Sequence, residues 1–295
     1  LNLGLPRAGR QTGLRHDQGA SMPPLKVMVT GVNGLIAGCA YLHLQQQPER
    51  YEVHAMARRR QASERVPAGR RLTFPRGRFT QVDLGDLEGL ERALRGMDVL
   101  VHMAADARHD AGWEHILASN IVGVRNAFEA AHRTGVRRVV YASSIMVSWG
   151  YQQDEPFKAI AERRFEDLRE DELHPVTHEW PVRPTGLYPA SKVWGEALGR
   201  YYADVHRMSV VCLRIGWVNG DDHPRAGLGM APIWCSQRDI VQLIERAINA
   251  PEDLHYDIFY GTSNNRWRWV DIDHARERLG YLPQDTADDR LTPPA

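Results

Sequence analysis

The chain has 295 residues, 43% of them apolar and 25% charged, with 37 basic side chains balanced by 37 acidic ones. This apolar content excludes a disordered chain, and the balanced charge provides no global field that would draw the protein to nucleic acid or an anionic membrane. Cys39, Cys212 and Cys235 lack C-x-x-C spacing, which argues against a disulfide scaffold or cysteine zinc site and for a reducing, cytoplasmic setting. No apolar run approaches the ~18 residues of a membrane span.

Residues 1–21 hold Gly, Arg and Gln without an apolar period and are expected to be a disordered leader ahead of Met22; the alternative is an Arg-bearing targeting segment. The run from Lys26 to Thr30 is short, apolar and followed by glycine, as in a buried parallel strand. A helix is expected from Ile36 to Gln47, broken near Pro48, then a strand from Tyr51 to Ala57. Strand, helix and strand follow at Phe79 to Val82, Leu87 to Arg95 and Asp98 to Met103. The spacing predicts a long helix from Trp113 to Thr134, closed by Gly135, and a strand from Arg138 to Ser143. A helix from Pro189 to His206 and a strand from Ser209 to Ile215 complete the series.

This alternation predicts an α/β fold, a doubly wound parallel (Rossmann) sheet over residues 22–215. The charged segment 151–184 interrupts it and is read as an inserted, lid-like piece with a helix near Ala159 to Arg169. Its Phe157, Ile160, Phe165 and Leu168 form a rough apolar stripe. Residues 216–284 are less regular and are read as a small substrate lobe, and 285–295 as a flexible tail.

The loop Thr30-Gly31-Val32-Asn33-Gly34-Leu35-Ile36-Ala37 follows the first strand and opens a helix, the position at which glycines and helix N–H groups hold a pyrophosphate. The second strand ends Ala57-Arg58-Arg59. An NAD site offers an acid there for the ribose hydroxyls; arginines suit a 2′-phosphate, so NADP is favoured over NAD. Tyr188 and Lys192 share one helix face, and an ammonium near a phenol lowers a pKa that is ordinarily about 10. Ser143 and Ser144 end the fifth strand, on the side that faces a ligand crevice.

These elements in this order resemble the extended short-chain dehydrogenase/reductase family, the NAD(P)-dependent sugar epimerases and dehydratases. The resemblance spans Leu25 to Asp285 and rests on TGVNGLIA, Asp83-Leu84, His102-Met103-Ala104-Ala105, Asn120 with Gly123, YASS, YPASK and LRIGW. It implies that Tyr188 is the acid/base, that Lys192 binds nicotinamide ribose and tunes Tyr188, and that Ser144 orients substrate. It further implies a cofactor site of Gly31, Asn33, Gly34, Leu35, Ile36, Arg58, Arg59, Asp83, Leu84, Met103, Ala104, Ala105 and Ile215, with Asn120 bracing the active-site helix.

Residues 230–240 and LRIGW look like the uronate dehydrogenases, in which Arg214 would meet a substrate carboxylate. Ile145 and Met146 stand where those enzymes place Asn-His against substrate, Ala107 replaces a substrate-binding serine, and the insertion has no counterpart of that length. Ile145 keeps a place beside the substrate by position. The resemblance thus implies an NAD(P)-dependent oxidoreductase acting on a sugar or sugar-acid hydroxyl. The alternatives are an epimerase or dehydratase with retained cofactor, and a catalytically silent NADP-binding sensor. A homodimer through the two long helices is expected, with no nucleic-acid or membrane partner.

Other signals have plainer readings. Pro175 spoils a helical His174–His178 pair, so no metal site is expected. Trp267 and Trp269 read as one aromatic face of a strand, Asp271 to His274 as a helix cap, and Cys39 as core.

Overall fold

The computed structural model describes residues 23–108, 110–225 and 229–291; the expected leader and the last four residues lie outside these. Seven parallel strands form one sheet in the order β3-β2-β1-β4-β5-β6-β7. They are β1 (Leu25–Thr30), β2 (Tyr51–Ala57), β3 (Phe79–Gln81), β4 (Val99–His102), β5 (Arg138–Ser144), β6 (Ser209–Ile215) and β7 (Tyr256–Gly261). Their period of two sorts the apolar side chains to both faces. Val27, Val29, Val99, Val101, Val211 and Leu213 face α1 (Leu35–Gln45) and α7 (Gln237–Ile248). Met28, Leu100, Val139, Tyr141, Val210 and Cys212 face α2 (Leu87–Leu94), α4 (Gly123–Arg133) and α6 (Leu187–His206).

Four expectations are corrected. The sheet does not stop at Ile215: β7 pairs with β6 in parallel and α7 packs on α1, so the expected separate lobe adds a strand and a helix to the main domain. The long helix from Trp113 is α3 (Trp113–Ile116), a π-helical segment (Leu117–Val122) and α4 in succession. The described part of the expected tail, 285–291, is pinned. Asp285 is 9% exposed between Arg238 and Arg290, at 2.7 and 3.0 Å, and α9 (Ala287–Leu291) follows it; α8 (Asp273–Leu279) precedes. Trp267 and Trp269 lie in no strand: Trp269 is core, and Trp267 stacks on Phe165 at 5.6 Å between centroids.

The insertion does not carry the helix expected from Ala159 to Arg169. Its α5 (Phe157–Ala161) stops where Arg163 takes φ +61° and two short 3-10 turns follow. The apolar stripe holds nonetheless: Phe157 and Ile160 are buried, and Phe165 and Leu168 pack beside them, in a third core shared with Tyr260, Trp269, Val270 and Ile272. Val176 ties the segment to this core through Val176 N–H to Trp269 O at 2.8 Å and Asp271 N–H to Val176 O at 3.0 Å.

Candidate active site

The strand order reverses between β1 and β4, and the expected site residues gather at the carboxyl ends of the strands around that point. The chain leaves β1 through Gly31 at φ +68°, where a Cβ would lie 2.8 Å from the Cα of Ala104, so only glycine fits. Gly34 caps α1 without a side-chain bond, and the first turn holds no acid. Its N–H groups and positive helix end are left for an anion, which fits a dinucleotide pyrophosphate. Thr30 Oγ1 accepts from the N–H groups of Met103 (3.1 Å) and Ala104 (3.2 Å), so its own proton goes to His102 Nδ1 at 3.0 Å. This fixes the loop that carries Met103, Ala104 and Ala105 beside Gly31. The arrangement leaves the His102 proton on a buried Nε2 that has no partner, and burial, with help from the Lys192 charge, lowers the His102 pKa to about 3.

Asn33 donates to the Arg59 carbonyl and so joins the phosphate loop to the end of β2. Arg58 and Arg59 are exposed, and the Arg58 guanidinium stands 3.9 Å from the Asp83 carboxylate. Leu84 packs against Gly123, and its carbonyl accepts from Asn126 at 2.9 Å. Beside the loop, a cavity of about 260 Å³ is lined by Asn33, Gly34, Gly38, Arg60, Arg70 and Arg71. Leu35 and Ile215 are each 6% exposed within the α1–α7 core and Ile36 packs on it, so these expected cofactor residues have only backbone to offer a ligand.

Serine, tyrosine and lysine come together where β5 ends and α6 begins. The Ser144 hydroxyl hydrogen-bonds the Tyr188 phenol and accepts from Met146 N–H at 3.2 Å. Lys192 is buried; its Nζ donates to the Ala142 carbonyl at 2.8 Å and stands 5.6 Å from the centre of the Tyr188 ring. Burial lowers the Lys192 pKa to about 8, against the opposing pull of the Glu196 carboxylate. Burial raises the Tyr188 phenol, while the Ser144 bond and the Arg65 charge pull it back.

Asn120, fully buried on the π segment, bridges two walls. Its Oδ1 accepts from Asp106 N–H at 2.8 Å, and its Nδ2 donates to Asp106 O at 2.9 Å and Ser191 Oγ at 3.0 Å. Ser191 Oγ donates in turn to the Tyr188 carbonyl at 2.6 Å.

Two substrate expectations are corrected. Arg214 is 2% exposed, its Nε and Nη2 taken by Glu196 at 2.9 Å each and its Nη1 by the Tyr260 hydroxyl at 2.9 Å. Ser143 Oγ donates to the same carboxylate at 2.6 Å, so Arg214 is tied into the scaffold and does not face a ligand. Ile145, 2% exposed, belongs to the third core.

His178 finds partners that the sequence did not reveal: its ring nitrogen, His274 and Asp257 lie within 4.8 Å of one another. The two imidazoles stack at 4.0 Å and 14°, so no single ion sits in the plane of both rings. Asp271 caps α8, as expected, through the N–H groups of Asp273 (2.8 Å) and His274 (3.3 Å). Sequence reasoning missed Thr30, Glu196 and Arg65. Thr30 lies within the TGVNGLIA run and Glu196 on the helix expected from Pro189 to His206, but Arg65 sits in an aperiodic arginine-rich loop with no local signal.

A family model for the NAD dependent epimerase/dehydratase family matches residues 27–275. An NAD-dependent glucose-6-phosphate dehydrogenase of Haloferax volcanii is 31% identical over 88% of this chain and 94% of its own length. A uronate dehydrogenase of Pseudomonas putida is 34% identical over 70% of this chain and 68% of its own. The crystal structure of the uronate dehydrogenase from Agrobacterium tumefaciens superposes with a TM-score of 0.70 at 27% identity, covering 93% of this chain and 92% of that one.

Proposed function

The chain belongs to the NAD dependent epimerase/dehydratase family, and we propose that it is a dehydrogenase that oxidises a hydroxyl of a sugar or sugar acid with NAD(P). The observation that carries this is the convergence of Ser144, Tyr188 and Lys192 next to a glycine loop whose helix N-terminus is uncapped. When bound, the nicotinamide cofactor supplies the hydride acceptor. Gly31, Gly34 and the first turn of α1 would hold its pyrophosphate, and Asp83 and the Met103–Ala105 loop would border its adenosine and ribose. Tyr188 takes the proton of the substrate hydroxyl on its phenolic oxygen, and Ser144 holds that hydroxyl in line. Lys192 would bond the ribose and supply positive charge near the phenolate. Asn120 keeps Tyr188 in place through Ser191.

The two curated relatives above share dehydrogenation and differ in sugar, which favours this reading over a retained-cofactor epimerase. The complete triad speaks against a silent sensor. NADP preference follows from Arg58 and Arg59, with Arg60, Arg70 and Arg71 around the adjoining cavity. A homodimer through the two long helical runs is supported by exposed apolar residues on α3, the π segment and α6: Trp113, Val122, Leu187, Trp194, Tyr201 and Val205. The cysteines are buried and unpaired, in keeping with a cytoplasmic setting, and among the described residues no helix is long and apolar enough to cross a membrane. The test is a turnover screen of free sugars, sugar acids and sugar phosphates with NAD and with NADP, followed at the nicotinamide absorbance. Reduction of neither cofactor by any of them would overturn the proposal.

A further inference from the structure

The β2–β3 connection does more than join two strands. Ser63 N–H donates to the Asn33 carbonyl at 2.9 Å, which fastens the connection to the phosphate loop. Two residues on, the Arg65 carbonyl lies so close to Gly220 that a Cβ there would be 2.9 Å from it, and Pro67 lines the same contact. The Arg65 side chain reaches the other way, and its Nη2 donates to the Ala107 carbonyl at 2.9 Å. Arg65 therefore spans the opening between the loop after β4 and the segment after β6, with Tyr188 inside its electrostatic reach.

The guanidinium groups around this centre are mostly committed to carboxylates. Arg108 is paired with Asp106 at 2.6 Å, Arg183 with Asp154, Arg225 with Asp221, and Arg214 with Glu196 in the buried fork. Arg65 is exposed and, among the described residues, its side chain bonds only a neutral carbonyl. A carbonyl bond at the surface is exchanged at little cost for a charge-assisted bond to an anion.

We infer that Arg65 is the specificity-determining residue that receives the anionic group, carboxylate or phosphate, of an acidic sugar, the place that Arg214 cannot fill. This rests on the dehydrogenase reading for its substrate class. It predicts that the enzyme prefers acidic sugars to neutral ones and that the preference comes from a loop between two strands, not from the sheet.

The experiment compares Arg65→Ala and Arg65→Lys with wild type on glucuronate, glucose 6-phosphate and glucose, with either cofactor. The expected result is a loss of about 10- to 100-fold in kcat/KM for the acidic sugar in Arg65→Ala, carried by KM. Cofactor Kd should stay unchanged, glucose should lose far less than the acidic sugar, through kcat and the lost charge near Tyr188 alone, and Arg65→Lys should recover part of the loss. Which acidic sugar responds tells carboxylate from phosphate. An equal loss on glucose, or a weakened cofactor Kd with the acid-to-neutral ratio intact, would overturn the assignment. Equilibrium dialysis of labelled glucuronate and glucose 6-phosphate against the cofactor-loaded protein reads binding without turnover. Arg65-dependent binding without hydride transfer upholds the assignment and defeats the dehydrogenase reading; binding of neither sugar to wild type defeats the assignment.

Discussion

Glu196 and Arg214 form a forked ion pair, two bonds of 2.9 Å each, between the helix that carries Tyr188 and Lys192 and the strand that lies beside Ser143 and Ser144. Ser143 and Tyr260 close the network, so α6, β5, β6 and β7 are locked at the level of the reacting groups. Two buried charges are costly to desolvate, and the pair holds because the carboxylate accepts three hydrogen bonds and the guanidinium donates three.

Removing one member is therefore expected to cost far more than removing both. Glu196→Gln should lose about 3–5 kcal/mol of stability by leaving the guanidinium buried and unmatched. Glu196→Leu combined with Arg214→Met should recover most of it. Urea unfolding of the single and double variants measures this, and a double variant no better than the single would show that the pair is not the source.

Tyr188→Phe should lower kcat by about 10²- to 10⁴-fold, the ordinary worth of an acid/base group. Cofactor Kd should hardly move, because Gly31, Gly34 and Lys192 remain. Near-normal turnover would remove Tyr188 from proton transfer.

Arg58→Asp places a carboxylate where the chain leaves β2, at an exposed position where losing the 3.9 Å pairing with Asp83 costs about 1 kcal/mol or less. The ratio of NADP to NAD affinity should fall about 10- to 100-fold, the scale of a bond to a charged group. Titration of each cofactor by fluorescence checks it; an unchanged ratio would locate any 2′-phosphate contact elsewhere.

His102 makes the fold acid-sensitive. Its pKa is lowered to about 3 in the folded chain against an ordinary 6.5, so between those values the unfolded chain binds more protons. Stability is thus full above pH 6.5 and falls as pH drops through this window. His102→Asn keeps an acceptor for the Thr30 hydroxyl and should flatten the Tm profile there. A profile unchanged by the substitution would assign the acid sensitivity to other groups.

The insertion is expected to behave as core, not as a detachable lid. Joining Tyr151 directly to Pro184 would strip Phe157, Ile160 and Val176 from the third core and expose Trp269 and Val270. Such a chain should bind a hydrophobic dye and lose its sharp melting transition. A trimmed protein that melts as sharply as the parent and shows only a raised KM would restore the lid.

The strands were legible because their apolar runs have no competing period, and the glycine loop, Tyr188 and Lys192 because local spacing carries their geometry. What escaped depends on partners far along the chain. Arg214 reads the same whether it meets a ligand or Glu196, and only the burial of both decides. Strand β7, with its Tyr-Asp-Ile-Phe-Tyr-Gly, was passed over because it begins with half-buried residues at a sheet edge, where the apolar run is short. Segment 285–291 looks polar and loose, but its Asp285 closes on Arg238, 47 positions away.

The π segment at Leu117–Val122 gives one stretch of this chain a sensitivity to length instead of composition. A π turn holds one residue more than an α turn, so deleting a single residue between Ile116 and Gly123 would leave a regular helix. Six under-wound residues turn the chain about as far as five α-helical ones, so the two ends would keep their orientation and the change would fall on how Asn120 is presented within the segment. Asn120 could then no longer serve Asp106 and Ser191 together. Among natural or engineered variants this stretch should accept replacement of Leu117 or Val122 far more readily than the loss of either.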